Sequence, residues 1–140
     1  MRKGFTLIEM LVIVLIIGAL SGLAYFGFTS IRGSLDVNYS AKQIVLDMRL
    51  TQDLAKTLRY PHQIEFPKGS NEYRVIDLED DRIVKQVRLG SAIRFSGKEI
   101  FIFSSSGNPV VGGSGTLVIS NSKGRSREVI VSSIGRIRVE

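Results

Sequence analysis

The sequence predicts an α+β chain in which one long N-terminal α-helix, apolar in its first half, packs on an antiparallel β-sheet domain. Three observations carry this. No proline occurs before Pro61, the apolar residues up to Leu58 recur at helical spacing, and beyond Pro61 the period falls to two. At 140 residues the chain has material for a single core.

The helix is justified in two parts. From Met10 to Ile31 there is no charged residue, about 22 positions, and roughly 20 helical residues cross a hydrocarbon core of about 30 Å. Arg2 and Lys3 precede this run and the next basic residue is Arg32, which orients the N-terminus to the cytoplasm and exports the rest. A cleaved secretory signal is the competing reading, with Ser21-Gly22-Leu23-Ala24 as its cleavage site. Glu9 argues against it, because a carboxylate inside an apolar stretch costs roughly 2.5 to 3.5 kcal/mol at mid-helix and a signal peptide has no use for one. Such an acid calls for a cationic partner.

The helix is expected to continue to about Leu58, near 80 Å in all. Val37, Ala41, Ile44, Met48, Thr51, Ala55 and Leu58 write one mainly apolar stripe, and Lys42, Asp47, Arg49, Asp53 and Lys56 are assigned to the opposite face. Gly18, Gly22, Gly27 and Gly33 loosen the upper helix, and Gly18 and Gly22 also have the spacing of a close-packing face. Glycine is equally at home in membrane helices without such a role.

Eight strands follow, expected at residues 63–66, 73–78, 82–89, 93–95, 99–103, 116–120, 127–131 and 136–139. Turn residues fall between them at Pro67 to Asn71, Glu79 to Asp81 and Asn121 to Gly124.

Composition narrows the function. With no cysteine and a single histidine, His62, the chain has no thiolate site, no disulfide and no imidazole cluster, and it holds no set of acid, base and nucleophile. No enzyme activity and no cofactor or metal are expected, and His62 is read as structural. Asp77, Glu79, Asp80 and Asp81 are read as a solvated hairpin tip rather than a Ca²⁺ loop, since their spacing fits no EF-hand. Gly112-Gly113-Ser114-Gly115 lacks the Lys-Ser/Thr of a phosphate-cradling loop.

The net charge of +6 points to an anionic contact and leaves nucleic acid, anionic lipid and acidic protein all open. Arg136 and Arg138 alternate with Ile137 and Val139, so a strand places both guanidinium groups on one face about 6.6 Å apart, near the spacing of successive phosphates. Lys123, Arg125 and Arg127 alternate in the same way. These five are candidates for sequence-independent, salt-sensitive binding of double-stranded DNA, with no aromatic among them for base stacking. A solvated strand face explains them equally well.

The start Arg2-Lys3-Gly4-Phe5-Thr6-Leu7-Ile8-Glu9, followed by a long apolar run, resembles the class III leader of type IV pilins and pseudopilins. The resemblance implies cutting by a prepilin peptidase between Gly4 and Phe5 and N-methylation of Phe5. It also implies assembly through Glu9, whose carboxylate pairs with the new amine of a neighbouring subunit so that two costly charges meet. The helix end, the Ser106-Gly107-Asn108 turn, the Gly-rich loop and the terminal Gly135-Arg136-Ile137-Arg138-Val139 resemble the minor pilins and pseudopilins typified by GspH and FimT. No proline lies near position 26 and there is no C-terminal cysteine pair, which weighs against a major pilin.

The implied organisation is a leader at 1–4, a transmembrane and filament-core helix at 5–31, its amphipathic continuation at 32–60 and a β-rich periplasmic or extracellular domain at 61–140. The implied partners are other pilin or pseudopilin subunits, the prepilin peptidase and the bacterial inner membrane. The implied role is a structural subunit of a type II secretion pseudopilus or a type IV pilus. Double-stranded DNA enters because in FimT-like members a terminal motif resembling Gly135 to Arg138 is associated with DNA uptake.

Overall fold

The computed structural model describes residues 7–140, with the side chains of 23–35 outside the description. The chain divides into two compact units, Met1–Gly33 and Ser34–Glu140, each described by itself. Helix α1 spans Leu7–Leu58. It ends where the sequence requires: Arg59 adopts a left-handed conformation at φ 65°, and Pro61 follows, unable to continue the helix.

In the first unit α1 is apolar and uncovered, with Leu7, Ile8, Leu11, Val14 and Leu15 all exposed. Among the described residues no helix is long and apolar enough to cross a membrane. The expected span Met10 to Ile31 runs into the residues whose side chains are not described, and the part from Leu7 to Gly22 gives only about 24 Å of helix. Gly27, Gly33 and Arg32 also lie outside the described side chains.

In the second unit α1 is amphipathic. Val37, Ala41, Ile44, Met48, Thr51 and Ala55 are buried as the stripe predicts, whereas Leu58, the last residue of α1, is exposed. Asp47 corrects the expectation that it lies on the solvent face: it is 4 % exposed and points into the core. Leu46 and Leu50 take the outer side instead.

The strands are β1 (His62–Glu65), β2 (Glu72–Asp77), β3 (Arg82–Arg88), β4 (Ile93–Gly97), β5 (Ile100–Phe103), β6 (Gly115–Asn121), β7 (Ser126–Val131) and β8 (Ile137–Val139). Each lies within two residues of its predicted ends. They form two four-stranded antiparallel sheets, β3-β2-β1-β5 and β4-β6-β7-β8, where the sequence predicts antiparallel strands without dividing them.

Alternation along each strand sends one set of side chains inward. Ile64, Tyr73, Val75, Phe101 and Phe103 come from the first sheet, and Ile93, Phe95, Leu117, Ile119, Val129, Val131 and Ile137 from the second. Phe66, just past β1, joins the two, its ring 5.2 Å from Tyr73, 5.3 Å edge-on from Phe95 and 6.1 Å from Phe101. Burying each such ring stabilises the fold by about 1.5 to 3 kcal/mol.

A bulge in the β2–β3 pair has a consequence for charge. Val75 lies opposite Lys85 but Ile76 lies opposite Ile83, so Val84 is the extra residue. The slip turns Ile83 outward and leaves Lys85 on the helix side, where its Nζ reaches Asp47 Oδ1 at 2.6 Å. Tyr73 donates its hydroxyl to Asp47 Oδ2, also at 2.6 Å.

Candidate functional site

Two sets of residues carry the functional expectations, the N-terminal acid and the basic strands. Gly4 and Phe5 lie outside the described residues. Glu9 stands in the first turn of α1, on the exposed surface with Ile8, Val12 and Ile13 lining a shallow groove beside it. A carboxylate in so apolar a setting favours contact with a cation over contact with hydrocarbon.

The five basic candidates do not form one patch. Arg138 lies opposite Ile130 in the β7–β8 ladder, on the face turned away from Val129, Val131 and the core. Arg136 lies just before β8, its amide donating to Ser132 Oγ at 3.0 Å and its carbonyl accepting from Ser132 N. Arg138 therefore faces outward at the edge of the second sheet, whereas Arg136, expected on the same strand, lies just outside it. Acids share that face: Arg138 Nε is 3.3 Å from Glu140 Oε1, and Glu128 is joined to Glu140 by two backbone hydrogen bonds.

Arg125 and Arg127 sit elsewhere. Arg127 has the parity of Val129 and faces the helix, where its Nε donates to Asn38 Oδ1 at 2.9 Å. With Val37, Asn38 and Ser126 the two arginines line a cavity of about 250 Å³. Lys123 lies in the β6–β7 turn, which Asn121 holds by accepting the amides of Lys123 and Arg125, each at 3.0 Å. The other pole is organised by Gln52, whose amide donates to the carbonyls of Gly107 and Gly135. Asn38 and Gln52 are 14 residues apart on α1, about 21 Å along its axis. The arginines divide accordingly, Arg125 and Arg127 beside Asn38 and Arg136 beside the Gln52 contact with Gly135.

Of the remaining candidates, Asp77 and His62 are packed into the second unit. Asp77 is buried rather than part of a solvated tip, and it accepts from Tyr60 at 3.1 Å and from the amide of Glu79 at 2.9 Å. Burial raises its pKa, but these hydrogen bonds and the neighbouring His62 outweigh that and hold the carboxyl below the usual range. Among the described residues no cluster of acids and histidines converges on a possible metal position. His62 is fully buried, stacked at 5.0 Å on Tyr60 with Nδ1 3.2 Å from the Tyr60 carbonyl.

Sequence reasoning missed Asp47, Gln52 and Asn38. For Asp47 the signal was present: it falls three residues after Ile44 and four before Thr51, on the buried stripe.

Over residues 1–25 the sequence matches the family described as the prokaryotic N-terminal methylation motif. No curated protein matches the chain in sequence. In three dimensions it is similar to the type IV minor pilin FimU of Pseudomonas aeruginosa, at TM-score 0.65 and 16 % identity over 76 % of this chain and 90 % of that one. This is the minor-pilin fold. The minor pseudopilin EpsH from the type 2 secretion system of Vibrio cholerae has it too, at TM-score 0.63 and 15 % identity over 75 % of this chain and 96 % of that one. The chain thus combines a prepilin methylation motif with the fold of the minor pilins, an N-terminal helix packed on antiparallel sheets.

Proposed function

We propose that this chain is a minor pilin or pseudopilin, a structural subunit of a type IV pilus or a type II secretion pseudopilus. The observation that carries the reading is the methylation motif at the head of a minor-pilin fold. In this reading residues 5–31 insert in the bacterial inner membrane with the N-terminus cytoplasmic, and the domain beyond residue 60 is periplasmic until it is drawn into the filament. Prepilin peptidase cuts between Gly4 and Phe5 and Phe5 is methylated. The uncovered apolar face from Leu7 to Leu20 needs lipid or a neighbouring subunit over it. Glu9 then meets the Phe5 amine of that neighbour, and any other axial register strands both charges in hydrocarbon.

Mass spectrometry of the chain extracted from membranes tests this directly. The expected mass is that of a chain beginning at methylated Phe5, and an intact Met1 terminus overturns the reading. Glu9→Leu is expected to leave cleavage in place and abolish incorporation into filaments.

A second reading adds DNA to the same subunit. It is favoured by Arg138 on the outer face of β8 and Arg136 just before that strand, which among the described residues is the edge of the second sheet. Duplex DNA bound there is held through phosphates alone, without base readout.

A further inference from the structure

The outer face of α1 in the second unit is taken up neither by the core nor by the basic strands. Tyr39, Leu46 and Leu50 are 70 %, 63 % and 40 % exposed, fractions that leave each of these large side chains in water. Steps of seven and four put them within about 40° of one another round the helix, directly opposite Ala41, Ile44, Met48 and Ala55. In this unit α1 therefore has two apolar stripes, one buried against the sheets and one uncovered.

The uncovered stripe is narrow. At alternating steps of three and four the row reads Asp36, Tyr39, Gln43, Leu46, Leu50 and Asp53, all exposed, with the 3.5-residue period of a helix-to-helix seam. Asp36 and Asp53 end it, so the apolar part runs from Tyr39 to Leu50, about 16 Å. A helix lying on a membrane has a broader apolar face, and these two acids would be set against anionic headgroups.

One flank of the seam is basic. Lys42, Arg49 and Lys56 recur every seven residues, all three are exposed, and none belongs to the five ion pairs that link described residues. They share one heptad position beside the seam, the place from which charge selects a partner helix. A second copy of this helix offers nothing to match them. Run antiparallel, the row meets itself. Run parallel, it meets residues 40, 47 and 54, where Ser40 is buried, Asp47 is committed to Tyr73 and Lys85, and Leu54 is uncharged.

We propose that this face of α1 is a docking seam for an amphipathic helix of a different chain, one that carries acidic residues along the row facing Lys42 and Arg49. That this chain is another subunit of the same filament rests on the minor-pilin reading.

The protein has no cysteine, so Gln43→Cys takes a single bimane label within the seam. The labelled full chain, in a non-ionic detergent, is titrated with three synthetic helical peptides: one with leucine along its seam and glutamate on both flanks, one with lysine in place of the glutamate, and one copying residues 34–58 of this chain. The glutamate peptide is expected to bind on the order of tenfold more tightly than the lysine peptide. Lys42→Glu, Arg49→Glu is expected to reverse that order, a gain that a misfolded variant cannot mimic. Lys56 is left in place because its stem lies against Gly107. Leu46→Asp, Leu50→Asp, at two exposed positions, is expected to abolish binding of both peptides. Equal binding of the glutamate and lysine peptides, no binding of either, or undiminished binding in Leu46→Asp, Leu50→Asp overturns the proposal. Tighter binding of the copied peptide overturns it in favour of self-pairing, and a shift of the label on adding phosphatidylglycerol without peptide overturns it in favour of a membrane face. None of these outcomes touches the filament reading, which the mass of the membrane-extracted chain tests on its own.

Discussion

Gln52 donates its side-chain amide to the carbonyl of Gly135 at 2.8 Å and to that of Gly107 at 3.0 Å, so one helix residue clasps two turns distant in sequence. Gly135 has φ 78°, and a Cβ there would stand 3.0 Å from Gln52 Nε2 and 3.1 Å from the Gly107 oxygen. The glycine of Gly-Arg-Ile-Arg is therefore required by the clasp, whatever the arginines contact. Gly135→Ala is expected to lower stability by about 1 to 2 kcal/mol through left-handed strain. Gln52→Ala is expected to lower it by about 1 to 3 kcal/mol through two orphaned carbonyls. Urea unfolding of both single variants and the double variant checks this, and the double is expected to fall short of the sum because the two share one contact.

Asp47 joins the helix to the first sheet through Tyr73 and Lys85. Burial, the hydrogen bond to Asp47 and the charge of Asp47 all push the Tyr73 hydroxyl well above its ordinary pKa. A raised folded value means that this contribution is complete below about pH 10 and lost as pH rises through the folded pKa. Tyr73→Phe keeps the ring and removes the bond, at an expected cost of about 1 to 3 kcal/mol. Lys85→Met is expected to cost less, because the lysine side chain is 40 % exposed and its attraction is partly screened. Thermal melts at pH 7 rank the two, and a larger loss for Lys85→Met would contradict the assignment.

Asp77 gives a signature at the opposite end of the pH scale. Its carboxyl is held below the unfolded value of about 3.9, so its contribution is present above that pH and lost as pH falls through the depressed folded value. Asp77→Asn is expected to melt below the parent at pH 7, with the gap closing progressively under pH 4. Melts between pH 7 and pH 2.5 check this, and a gap independent of pH would remove the carboxylate from the account.

Much of this was legible in the sequence because local chemistry dictates it. Pro61 stops the helix, and the turn residues at Gly69, Asp81 and Gly124 adopt the positive φ their positions demand, so the strands between them fall where period two places them. Long-range register was not legible. The bulge at Val75 and Ile76 that turns Lys85 toward Asp47 leaves no mark in a pattern of alternation, and neither does the division of the strands into two sheets. Separation of the basic residues was half legible: alternation pairs Arg136 with Arg138 and Arg125 with Arg127, but only the contact with Asn38 shows that the second pair faces the helix. Glu9 stands out in the sequence as a lone acid at the head of an apolar run, whereas the roles proposed for Gly4, Phe5 and Glu9 rest on the leader motif, since they would concern a peptidase and a neighbouring subunit.

The division of the arginines sets the size of any DNA effect. If β8 alone meets a duplex, two phosphates are neutralised, and log K is expected to fall with log salt concentration at a slope near −2. Glu140 at 3.3 Å from Arg138 competes for one of those contacts and keeps the binding weak. Titration of random-sequence duplex DNA with the fragment from Arg32 to Glu140 is the measurement. Arg136→Ala, Arg138→Ala is expected to flatten the salt dependence, and Glu140→Gln to strengthen binding several-fold by freeing Arg138. Arg125→Ala, Arg127→Ala is expected to leave the slope unchanged, because those side chains lie about 21 Å along the helix from the Gly135 clasp. A slope steeper than −4 that the Arg125 and Arg127 variant reduces would show a duplex spanning both ends of the domain.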